Sequence, residues 1–151
     1  MKARYRPGTT FAPIPSLKGG RVRYRPLLTL RVTGPTHSMP RDCLLDSGSD
    51  DTVFAEGIAV ALGINLHQAP QLAINLAGRG VVRCRYAPVE LLISDGKETY
   101  EWTAMVGFVP VLLQNPLLGH AGFLQFFDAD FRGADHEVIL TPNRDFTGRR
   151  I

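Results

Sequence analysis

The chain has 151 residues, 44% of them hydrophobic and 21% charged, the size and balance of one folded domain rather than of a disordered chain. Its formal net charge is +3, but the cations are scattered along strands and tails. With no basic helix and no aromatic stacking motif, the pattern argues against a nucleic-acid partner.

No apolar leader and no run of membrane-spanning length is present, so no membrane partner is expected and the chain reads as cytoplasmic. Cys43 and Cys84 are the two cysteines. They form no CxxC pair and lie in apolar stretches, which predicts buried free thiols. His37, His67, His120 and His136 show no ligand or triad spacing, so they are expected at the surface and neither a metal nor a cofactor is implied.

Residues 1–20 hold three prolines and three glycines without a hydrophobic period. They are expected to form a flexible N-terminal arm ahead of a domain spanning 21–151. From Arg21 to Val32, Val22, Tyr24, Leu28, Leu30 and Val32 alternate with Arg21, Arg23, Arg25, Thr29 and Arg31, the period of a half-buried strand. Pro26 within it indicates an edge or a bulge. After Gly34-Pro35, Arg41 to Leu45 reads as a second strand that runs into Asp46-Ser47-Gly48. Phe54, Ile58, Ala61 and Leu62 then share a helical face, Gly63 stands as a C-cap, and Asp50 and Asp51 are placed to cap the helix start near Val53.

Gln71 to Ile93 is strand-like but broken at Ala77-Gly78-Arg79-Gly80, which predicts a hairpin tip with positive φ at glycine. A second hairpin turns at Ser94-Asp95-Gly96-Lys97 and returns through Thr99 to Val109. Asn115-Pro116 breaks the chain before Leu117-Leu118-Gly119, and Ala121, Leu124 and Phe127 suggest another short helix. Glu137 to Leu140 is the last strand expected. Trp102, Phe108, Phe123, Phe126 and Phe127 are expected in the core, with Phe108 also a candidate to line a pocket. The sum is an all-β, mainly antiparallel, closed barrel-like domain with one or two short helices.

Asp46 is the residue with chemical promise. A strand ending in Asp-Ser-Gly holds a carboxylate at the mouth of a turn, and the glycine lets a backbone N–H approach it closely. The triplet alone equally describes an Asx turn after a strand. Its flanks add weight: Cys43-Leu44-Leu45 is an apolar strand, and Ser49-Asp50-Asp51-Thr52-Val53-Phe54 is a small polar exit.

The run CLLDSGSDDTVF resembles the active-site segment of the retropepsin-like (retroviral-type) aspartic proteases, especially their single-domain cellular and bacterial members. Pro116-Leu117-Leu118-Gly119 is similar to the family's second signature, which packs behind the active-site loop. Leu76 to Tyr86 falls where the family carries its flap. The resemblance spans about residues 22–141 and implies the acid-protease fold. It also implies Asp46 as catalytic acid/base and Ser47 and Gly48 as loop support. Gly78, Arg79 and Gly80 would be a substrate-binding flap tip, and Leu117, Leu118 and Gly119 the backing.

Catalysis in that family needs two such loops, and this sequence has one. The resemblance therefore implies a homodimer with Asp46 contributed from each copy. The expected activity is an endopeptidase acting on extended peptide or protein substrates. The competing expectation is a retropepsin-fold dimerisation or peptide-binding module that hydrolyses nothing. Leu76, Val82, Phe108, Val111 and Leu112 are the candidates to shape a substrate pocket.

Overall fold

The structure is a computed structural model and describes residues 1–151. Thirteen strands and one α-helix follow in chain order: β1 (Lys2–Arg4), β2 (Arg6–Thr9), β3 (Val22–Arg25), β4 (Leu27–Thr33), β5 (Ser38–Leu45), β6 (Val53–Ala55), α1 (Glu56–Leu62), β7 (Gln71–Leu76), β8 (Gly80–Ser94), β9 (Thr99–Val109), β10 (Leu117–Leu118), β11 (Phe127–Arg132), β12 (Glu137–Pro142) and β13 (Arg149–Arg150). The main sheet runs β13-β9-β6-β10-β5-β4-β8-β7, and β8 also pairs with β9. That extra pairing closes β9, β6, β10, β5, β4 and β8 into a ring, an all-β barrel with no open edge between those strands. No helix is long and apolar enough to cross a membrane.

The barrel interior is filled from alternating positions. Leu28, Leu30 and Val32 of β4 are buried, as are Val89, Leu91 and Ile93 of β8 and Trp102, Ala104 and Val106 of β9. One end is closed by aromatic rings: Trp102 meets Phe127 edge-on with centroids 5.2 Å apart, and Phe123 stacks on Phe127 at the same separation. Such offset and edge contacts add to area burial rather than replace it. Phe108 is fully buried, with Phe54 6.1 Å away. It packs the core.

Four local expectations are changed. Residues 1–20, read as a flexible arm, contain β1 and β2. β1 pairs antiparallel with β12, and Met1, Ala3 and Tyr5 pack against the main core. Adding a strand to a sheet edge needs only backbone groups, so composition gave no sign of it. The strand expected over 21–32 is divided at Pro26: β3 pairs only with β2, whereas β4 joins the barrel.

The helix expected from Val53 begins only at Glu56. Val53, Phe54 and Ala55 instead pair in parallel with Gly107, Phe108 and Val109, so β-branched and aromatic packing overrides the helical period. Its N-cap is Ala55, without a side-chain cap, so Asp50 and Asp51 do not cap it, while Gly63 at φ +74° closes the C-terminus as expected. Finally, residues 120–126 form turns rather than a helix. Leu124 and Gln125 N–H donate to Gly119 and His120 carbonyls, five residues back, and Gly122 has φ +90°. The four histidines all lie exposed.

Candidate active site

β5 delivers Asp46 to the end of the barrel, and the loop that follows is held almost wholly by main-chain bonds. Gly48 N–H donates to Asp46 Oδ1 at 3.0 Å, closing an Asx turn, and Ser49 N–H donates to the Asp46 carbonyl at 3.1 Å. A Cβ on Gly48 would stand 3.3 Å from Asp46 Oδ1, so glycine gives that approach most freely. Asp46 is half-buried, and the carboxylate accepts no other hydrogen bond within the chain. Ser47 is exposed and its hydroxyl has no partner in the chain.

Leu117-Leu118-Gly119 meets this loop from behind. β10 runs parallel to the end of β5, with Leu117 beside Leu44 and Leu118 beside Leu45. Asp46 N–H donates to the Leu118 carbonyl at 3.0 Å. Further along, His120 N–H donates to the Ser49 carbonyl (2.9 Å), Ala121 N–H to Asp50 (2.8 Å), and Thr52 N–H back to Ala121 (2.9 Å). Gly119 lies so close to the Asp51 carbonyl that a Cβ would overlap it. Two segments some seventy residues apart in sequence thus form one rigid loop bed around Asp46.

The β7–β8 hairpin faces that bed. Its tip turns at 77–79, where Arg79 N–H donates to the Leu76 carbonyl at 2.9 Å, and Gly78 and Gly80 have φ of +74° and +72°. The Arg79 guanidinium donates to the Leu112 carbonyl at 3.3 Å, tying the tip to the loop after β9. Between hairpin and bed lies a cleft of about 440 Å³. Asp46, Gly48 and Ser49–Asp51 line one side, Leu72–Ala77 the other, and Val53 and Leu117 the floor. Of the residues expected to shape a pocket, Leu76 lines this cleft; Val82, Phe108, Val111 and Leu112 do not.

No family model matches the sequence, and no curated protein sequence matches it. Among solved structures, the chain is similar in shape to the EIAV protease in complex with the inhibitor HBY-793, at 20% identity. That match covers 64% of this chain and 82% of the other with a TM-score of 0.49. It is also similar to a retropepsin-like aspartic protease from Rickettsia conorii, at 17% identity over 93% of this chain and 95% of the other, TM-score 0.48.

One contact has no signal in the sequence. Tyr86, on β8 at the root of the hairpin, donates its hydroxyl to Asp51 Oδ2 at 3.1 Å, and its N–H donates to the Pro70 carbonyl at 2.8 Å. Tyr86 lies opposite Gly107, whose missing side chain leaves room for the Cys84 sulfur. Burial, reinforced by Cys84 and the Asp51 carboxylate, pushes the Tyr86 phenol well above its ordinary 10.0. The side chain expected to cap a helix therefore joins the hairpin root to the Asp46 loop.

Proposed function

We propose that the chain is an aspartic endopeptidase whose active site forms between two copies, each contributing Asp46. The observation that carries this reading is the seat of Asp46. Its carboxylate lines the cleft and accepts from the Gly48 amide, while its main-chain N–H is tied to the Leu118 carbonyl behind it. A carboxylate held so rigidly suits acid–base work, because positioning lowers the cost of reaching the transition state.

The chain offers no second residue in the same setting. Asp50 and Asp51 follow on the same loop without a glycine-closed Asx turn, and Asp51 is engaged by Tyr86. Asp95 caps the turn between β8 and β9, accepting from the Lys97 and Glu98 amides. A partner carboxylate must therefore come from a second Asp46, across a two-fold axis. Two carboxylates brought that close share one proton, as aspartic-protease dyads do, and titrate as a pair. The ionised member takes a proton from water as it attacks the peptide carbonyl, and the protonated member donates to the carbonyl oxygen.

On this reading Ser47, exposed and unpartnered in the single chain, bonds across the two-fold. The β7–β8 hairpin acts as the flap, with Gly78, Arg79 and Gly80 at its tip. An extended peptide lies along Leu72–Ala77 as an added strand.

The test uses Asp46→Asn, which keeps the Asx acceptor but removes the acid. The variant should melt like wild type and lose at least about a thousandfold in peptide cleavage. Cleavage equal to wild type would remove Asp46 from catalysis. A dimeric wild type that cleaves nothing in a mixed peptide library would favour the binding module instead.

A further inference from the structure

Charge is distributed unevenly along this chain. The first twenty-five residues hold seven cations and no acid, leaving ten cations against fourteen acids in the remainder, a net of −4. Most of the cationic segment lies in the β2–β3 hairpin, which pairs with no other sheet. Its strands register Arg6 with Arg25 through Thr9 with Val22. The tip is ordered by its own bonds: Thr10 N–H donates to the Arg21 carbonyl (2.7 Å) and Ile14 N–H to Gly20 (2.8 Å).

The root of this hairpin is anchored on the body. Tyr24 stacks on His136 with centroids 3.8 Å apart and rings within 9° of parallel, and Arg6 pairs with Asp42 at 2.6 Å. Beyond the root only Ile14 is buried. Phe11 is completely exposed at the tip, Leu17 is 45% exposed, and Lys18, Arg21 and Arg23 enter none of the chain's ion pairs. Arg23 lies on β3 and Arg21 immediately precedes that strand, and both are exposed. An ordered element showing a free aromatic tip and a row of unpaired cations is built to meet a surface.

Its position indicates which surface. Leu27 pairs with Leu44, the Pro26 carbonyl accepts from Leu45 N–H at 2.9 Å, and Asp46 is the next residue. β4 runs away from that point, antiparallel to β5, so the chain upstream of Pro26 leaves the barrel at its Asp46 end. Four residues of strand extend about 13 Å, before the tip is counted.

We infer that the β2–β3 hairpin is a clamp that docks on a second copy of this chain, its cations against the acid-rich body and Phe11 in contact with the partner's surface. The inference rests on the proposed two-copy site, because two Asp46 loops that meet on a two-fold bring each hairpin to the other protomer. Charge complementarity supports the same occupant: a hairpin with five cations and no acid faces a body of net −2 once Lys2 and Arg4 of β1 are counted with it, with Asp46, Asp50 and Asp51 lining its cleft. Such attraction chiefly sets encounter and register, while the apolar tip supplies contact area.

The experiment is sedimentation velocity on the full chain over a dilution series at low and high salt. It compares wild type with the triple variant Lys18→Glu/Arg21→Glu/Arg23→Glu and with Phe11→Ser. These side chains lie outside the core, so circular dichroism and melting should match wild type. The triple variant should raise the dimer Kd at least about tenfold at low salt and flatten its salt dependence. Phe11→Ser should raise it several-fold at both salts. Unchanged dimerisation in both variants, or a monomeric wild type throughout, overturns the clamp. So does a wild type that binds a short duplex DNA or RNA through these cations while its dimerisation ignores them. A wild type that dimerises through the hairpin yet cleaves no peptide removes the endopeptidase reading and leaves the clamp. An active dimer indifferent to both variants does the reverse.

Discussion

Gly119 lies against the carbonyl of Asp51 with no room between them: a Cβ there would overlap that oxygen and come within 2.6 Å of the Ser49 carbonyl oxygen. Both obstacles are backbone, and both belong to the loop that holds Asp46. Relief would have to come from moving the loop bed itself. Gly119→Ala should therefore cost about 2–3 kcal/mol, the range of an overpacked site, and lower Tm by roughly 5–10 °C for a domain of this size. Denaturant melts measure the first effect. Peptide cleavage should fall by far more than the lost folded population explains, since the bed positions the carboxylate.

The Tyr86–Asp51 bond makes a different prediction, in pH. The unfolded phenol ionises near 10.0, while burial keeps the folded one protonated to higher pH. Above pH 10 the unfolded state sheds its proton first, so stability falls as pH rises through that window and is intact below it. Tyr86→Phe keeps the ring and removes the proton. Its stability should be about 1 kcal/mol lower at neutral pH, for the lost bond to a carboxylate, and should decline less steeply above about pH 10. Denaturant midpoints at neutral and alkaline pH check both parts. Parallel slopes for the two proteins would show that the phenol does not titrate as described.

Cys43 and Cys84 should be silent to thiol reagents in the native protein. Both are fully buried. Burial, with the Asp42 carboxylate alongside, pushes the Cys43 thiol up to about 12, and burial raises Cys84 as well. The thiolate is the reactive species, and at neutral pH these sites hold almost none of it. A colourimetric thiol assay should count two thiols only in denaturant. Fast labelling of the native protein would place one of them at the surface.

Much of this architecture is legible from local pattern. The alternation at Leu28, Leu30 and Val32 marks β4, Gly78 and Gly80 mark the β7–β8 tip, and Asp95-Gly96 marks the turn between β8 and β9. In each case the signal and its cause lie within a few residues. What was not legible depends on distant partners. β1 is a strand because β12 offers an edge, and Val53–Ala55 is a strand because β9 lies beside it. Asp51 holds Tyr86 rather than a helix end because the chain brings β8 past the loop. Gly122, at φ +90°, interrupts a pattern at Ala121, Leu124 and Phe127 that reads as helical by spacing. For the candidate site, Asp46 and its Leu-Leu-Gly backing stood out as motifs, whereas Tyr86 and the clamp hairpin had no motif to announce them.

The central claim, that one site needs Asp46 from two chains, is tested most directly by mixing. Wild type and Asp46→Asn are exchanged to equilibrium at fixed total protein, and peptide cleavage is read against the wild-type fraction. If both carboxylates are required, only wild-type homodimers work and activity follows the square of that fraction, about one quarter at equal amounts. If each chain carries a complete site, activity follows the fraction itself, about one half, and the shared-site account is contradicted.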